Sequence, residues 1–187
     1  LYEDNSVTKM SEANMPEKIE HLIKNEQFDV ALVVAQSQLM GPSVISEIHR
    51  QRGDSYQEKH QFQKSIDEYK LTIGFLEPSY VITRFIDPQH AEYLIDYLEA
   101  LADKGMMTKE HTTLLFNCYT KLRKTDKLNE IIHQCLASSR KEEPKFNLET
   151  AVSVLCLAGF RDDALAIAKA YHMHDFYTQM LAEEGEY

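Results

Sequence analysis

The sequence predicts an all-α protein, an α-solenoid of degenerate helical-hairpin repeats. Three observations lead there. The 187 residues hold only six glycines and five prolines, too few for the tight turns of an all-β chain. Apolar residues recur at helical spacing in one short segment after another, with no convincing strand. Similar helix starts then return along the chain, at Ala31-Leu32, Ser65-Ile66, Ile131-Ile132 and Ala164-Leu165. Those starts fit a period of about 33 residues with one copy skipped, and two helices per such period is the mark of a solenoid. The skipped copy falls near Leu98, where Leu94 and Tyr97 also lie, with its register left open.

The elements follow in order. Asn14 or Met15 precedes Pro16, which suits a first helical position, and the helix carries Ile19, Leu22 and Ile23 on one face. "FDVALVVAQSQLM" comes next and closes at Gly41-Pro42; its β-branched "VALVV" sits inside a longer helical pattern. "SVISEIHRQRGDSYQEK" is paired with "QFQKSIDEYKLTIGFL", a single helix over 61–76 that ends before Pro78. The short "SYVITRFI" follows. Asp87 and Pro88 are an N-cap and a first-turn proline, opening a helix that stops at Gly105. Thr108 caps "KEHTTLLFNCYTKLR", and Glu110 in its first turn suits the helix dipole. "DKLNEIIHQCLAS" is the next helix, and "SRKEEPKF" a polar loop over 139–146. Asn147 caps "LETAVSVLCLAG", which closes at Gly159, and "RDDALAIAKAYH" and "DFYTQMLAEE" finish the chain. The domain reading is a tail over 1–14, then a solenoid of about five helix pairs over 15–187. Helices this short are marginal alone in water and need their neighbours.

One pair comes close to the tetratricopeptide pattern. Gly53, Tyr56, Ser65, Tyr69 and Thr72 stand where it wants glycine, tyrosine, a small residue, an aromatic and a small residue. His49 replaces its tryptophan, and Pro78 sits one past its proline. Small residues at 53 and 65 let two helices cross closely, and the tyrosines are expected to fill the groove between repeats.

Composition excludes some functions. The net charge of −10 argues against a nucleic-acid footprint, which needs a basic face, and against simple attraction to anionic lipid. No apolar run approaches the ~18 residues of a membrane span, and no signal peptide is visible. Cys118, Cys135 and Cys156 are odd in number and have no C-x-x-C spacing, which suits reduced cytosolic thiols rather than a disulfide framework or a zinc site. The chain begins at Leu1 rather than Met and is read as a fragment.

The chemistry-bearing candidates are few. His111, Leu115, Cys118 and Leu122 share one helical stripe. Seven residues place His111 and Cys118 ~10 Å apart along the axis, too far for a Cys–His dyad. His172 and His174, with Asp175 beside them, point apart if helical, and Asp175 is better placed to cap the last helix. Asp162 and Asp163 suit a first turn. The other carboxylates read as solvated faces, and Lys141–Lys145 as a solvated loop or a contact site. No phosphate-loop, dinucleotide, nucleophile-elbow or zincin motif occurs. The expectation is a non-enzymatic, protein-binding scaffold, with no catalytic, cofactor or metal residue assigned and no cofactor required.

Two stretches sharpen this. "YKLTIGFLEPSYVITRFIDPQHAEYLIDYLEAL" (69–101) and "HTTLLFNCYTKLRKTDKLNEII" (111–132) resemble the Pep5 family, the vacuolar protein sorting class C subunit eleven. "ETAVSVLCLAGFRDDALAIAKAYHMHDFY" (149–177) is similar to that family's next segment. The resemblance implies a central piece of a long α-solenoid with TPR-like, clathrin-heavy-chain-like repeats. The family's propeller and its RING-type zinc domain have no counterpart in these residues. It further implies a structural subunit of the HOPS and CORVET tethering complexes, acting in endosome–lysosome or vacuole fusion and protein sorting. The implied partners are the other class C subunits, and indirectly Rab GTPases and SNAREs. The implied location is cytoplasmic, peripheral on late endosomal, lysosomal or vacuolar membranes. A clathrin- or coatomer-like coat solenoid is the alternative, and a cysteine-dependent hydrolase using Cys118 or Cys156 is the third reading.

Overall fold

A computed structural model describes residues 14–124, 126–128, 130 and 147–184. Among these the secondary structure is helical, with no strand beyond a lone bridge between Ile73 and Leu76. Each helix packs mainly on its neighbours in sequence, which is how an α-solenoid is built. The chain divides into two compact units, one up to Leu76 and one from Glu77.

The first unit holds α1 (Met15–Lys24), α2 (Phe28–Ser37), α3 (Pro42–Glu58) and α4 (Phe62–Leu71). Asn14 caps α1, its side-chain oxygen accepting the Glu17 N–H at 3.0 Å. Ile19 of α1, Ala31 and Ala35 of α2 and Ile48 of α3 form the buried cluster, with Leu22, Ile23, Phe28, Leu32 and Val44 packed around it. The two alanines matter because a small residue lets neighbouring helices approach. α3 and α4 then pair over Ile66 and Tyr69, both fully buried. Burying an isoleucine side chain of this kind stabilises the fold by about 2 kcal/mol.

The second unit holds α5 (Pro78–Phe85), a 3-10 turn (Pro88–His90), α6 (Ala91–Asp103), α7 (Lys109–Lys121), α8 (Leu148–Leu157), α9 (Arg161–Ala170) and α10 (His174–Glu184). Thr108 caps α7 and Asn147 caps α8, as their positions in the sequence predict. Asp162 and Asp163 do fall in the first turn of α9. α6 supplies the densest part of this core, with Leu94, Tyr97, Leu98 and Leu101 buried. Val81 and Phe85 of α5, Leu115, Phe116 and Tyr119 of α7, and Val152 and Leu155 of α8 complete it.

One turn is reused at nearly every junction. The residue just past the helix takes a left-handed conformation at Glu26, Leu39, His60, Gly105, Arg123, Gly159 and His172. In each case the next N–H reaches back to a carbonyl five residues earlier, as in Gln27 to Leu22 (2.9 Å), Gln61 to Tyr56 (2.8 Å) and Phe160 to Leu155 (2.9 Å). This is the Schellman closure, which satisfies orphan carbonyls and turns the chain sharply.

Four expectations need correction. The segment 61–76 is not one helix: α4 stops at Leu71, because the Thr72 hydroxyl bonds back to the Tyr69 carbonyl at 2.7 Å and Gly74 adopts φ +101°. Thr72 then accepts the N–H groups of Phe75 and Leu76, both at 3.0 Å. α2 ends at Ser37 rather than at Met40, because Leu39 takes the left-handed position. Asp87 caps a 3-10 turn before α6, accepting the Gln89 N–H at 3.1 Å. Asp175 lies inside the first turn of α10, which begins at His174. All but the last residue of the expected tail over 1–14, most of the expected helix over 126–138 and the loop over 139–146 lie outside the described residues.

Candidate functional site

The residues that fit the repeat pattern meet along the seam between α3 and α4. Gly53 lies against the Tyr69 ring so closely that a Cβ there would sit 2.8 Å from Cε1 and 3.0 Å from Cδ1. Twelve residues on, the Ser65 hydroxyl donates to the Gly53 carbonyl at 2.8 Å, fully buried. A glycine on one helix and a serine on the other therefore set the crossing distance. The Tyr69 ring lies inside the hairpin, against Gly53, rather than only in a groove between repeats. Its hydroxyl donates to Asp54 at 2.5 Å.

A polar strip runs beside this contact. His49, in the place of the pattern's tryptophan, donates from Nδ1 to Glu68 Oε2 at 2.8 Å. Arg52 meets the other oxygen of Glu68 at 3.3 Å and reaches Asp29 of α2 at 3.0 Å. Arg50 pairs with Asp54 at 2.6 Å and with Glu47, whose carboxyl its hydrogen bond holds below the usual range. Burial works against the charge on Arg52, but Tyr56, Glu68 and Asp29 outweigh it and raise its pKa. Tyr56 is half-buried, its ring flanked by Arg52 at 5.7 Å and Lys64 at 5.6 Å. The strip joins α2, α3 and α4 through charge-assisted bonds, which are the stronger kind. Its chemistry is that of a clamp. The polar groups face each other across the helices instead of converging on a reactive atom.

The other candidates disperse. His111 is the third residue of a capping box: its N–H donates to Thr108 Oγ1 and its Nδ1 accepts the Thr108 N–H, both at 3.3 Å. That ring is held at the start of α7, while Cys118 is buried two turns further on. Burial pushes the Cys118 thiol pKa up, with Lys121 opposing weakly, so the thiolate is suppressed. Cys156 is half-buried, its sulfur 3.2 Å from that of Met180. Cys135 and Lys141–Lys145 lie outside the described residues. The rings of His172 and His174 are 6.0 Å apart, and among the described residues no three His, Cys, Asp or Glu side chains gather to hold a metal. Among them, too, no helix is long and apolar enough to cross a membrane.

An open recess of about 770 Å³ lies between α1 and α2, its lining including Met15, Lys18, His21, Leu22 and Val34. Sequence reasoning missed this recess and the strip's charged members, Asp29, Arg52, Asp54 and Glu68. A signal for the strip existed, since His49, Arg52 and Tyr56 fall three and four apart on α3.

Comparison with known proteins bears on the same helices. The family described as PEP5/VPS11 Clathrin repeat matches residues 56–187. The chain is 39% identical to the vacuolar protein-sorting-associated protein 11 homolog of Arabidopsis thaliana, over 98% of this chain and 20% of that protein. It is 38% identical to the homolog of Dictyostelium discoideum, over 97% of this chain and 18% of that one. For the Homo sapiens homolog the identity is 36% over 98% of this chain and 19% of that protein. The chain thus spans about a fifth of the length of these relatives. Its all-α hairpins, with their small-residue crossings and repeated turn, and the match across α4 to α10 together place the chain in the PEP5/VPS11 clathrin-repeat family.

Proposed function

We propose that this chain is a structural scaffold segment of a vacuolar protein sorting tethering subunit, working through protein–protein contacts and not as an enzyme. The observation that carries the reading is the family match over residues 56–187, joined to high identity with the sorting-protein homologs across almost the whole chain. The helix pairs α1–α2 and α3–α4 of the first unit, and α5–α6 and α8–α9 of the second, are hairpins of the kind that solenoids stack. A stack of this kind makes long binding surfaces from short helices. The larger protein sits in a class C complex of the HOPS or CORVET type, supporting endosome–lysosome or vacuole fusion. Other class C subunits are its direct partners, with Rab GTPases and SNAREs reached through the complex. Its membrane association is peripheral.

The test is co-purification of the full-length protein with and without residues 61–139. The intact protein should bring down the other class C subunits, and the deletion should lose them and leave vacuoles fragmented or lysosomal delivery stalled. The clathrin-repeat character of the family favours one second reading, a coat solenoid. Recovery of clathrin light chains or coat adaptors, with normal vacuoles, would decide for that reading.

A further inference from the structure

We draw no further inference here: the strongest candidate, the open recess of about 770 Å³ between α1 and α2 lined by Met15, Leu22 and Val34, carries nothing because nothing in the structure shows what covers it.

Discussion

Gly53→Ala tests the helix crossing by its sign. In an exposed helix interior, replacing glycine by alanine stabilises by about 1 kcal/mol. At this site the new methyl carbon would stand 2.8, 3.0 and 3.1 Å from three atoms of the Tyr69 ring. The ring has little room to retreat. It is fully buried, and its hydroxyl is fixed to Asp54 at 2.5 Å. Forcing a methyl into a packed core costs about 1–3 kcal/mol. Set against the helix-propensity gain, the net result is a loss of up to about 2 kcal/mol. The assay is urea unfolding followed by far-UV circular dichroism, with a lowered midpoint at constant slope. The control is the same change in a Tyr69→Leu background. With the ring removed, alanine at 53 should become neutral or stabilising, a coupling that a double-mutant cycle reads directly. An alanine variant more stable than the parent by about 1 kcal/mol, the unopposed helix-propensity gain, would refute the close crossing. So would an equal loss in both backgrounds.

Further outcomes follow from particular side chains. Leu39 is 92% exposed and left-handed at φ +51°, so Leu39→Gly should stabilise by about 0.5–1 kcal/mol in the same unfolding assay. The Tyr97 hydroxyl is buried with no hydrogen-bond partner among the described residues, whereas that of Tyr119 donates to Glu99 at 2.6 Å. Tyr97→Phe should therefore be neutral or stabilising, and Tyr119→Phe should cost about 1–2 kcal/mol. Burial pushes the Tyr97 phenol up to about 12 and the Cys118 thiol upward. In both groups the unfolded chain loses its proton first, so stability should fall as pH rises above the unfolded thiol and phenol values, about 8.5 and 10, and for Tyr97 should go on falling up to about 12. Cys118→Ala should cost about 1 kcal/mol and leave binding intact. Thiol titration should find Cys118 slow to react until the protein unfolds.

Side-chain caps were the most legible part of the fold. Thr108 and Asn147 each accept a backbone N–H where the sequence puts a cap, and Asn14 does so at one of the two positions left open there, because that bond involves residues only three apart. Helix ends were legible where glycine makes the turn, at Gly105 and Gly159. The left-handed turn itself was not legible at Glu26, Leu39, His60 and Arg123, where no glycine announces it. Tertiary packing outweighs local preference there, since the turn returns the next helix to the core. The repeat's missing copy also needed the structure. Leu98 is fully buried and Ala102 nearly so, matching the buried pairs Ala31 and Ala35, Ser65 and Tyr69, and Ala164 and Ala168. A leucine in the small-residue position had hidden it.

The α3–α4 seam was half legible. Gly53, Ser65 and Tyr69 stood out because a small residue facing a ring has a steric meaning that the sequence alone conveys. Asp29, Arg52 and Glu68 did not, because a charged residue on an amphipathic helix ordinarily faces water. Only the crossing of α3 with α4 shows that Glu68 serves both His49 and Arg52. Cys118 and His111 were separated correctly from spacing, since helical rise alone keeps them apart.

The scaffold reading meets its most direct test in cross-linking mass spectrometry of the full-length protein in its native assembly, read for lysines of this segment such as Lys64 and Lys104. The account predicts cross-links from these lysines to other class C tethering subunits. Cross-links confined to clathrin or coat adaptor chains would contradict it.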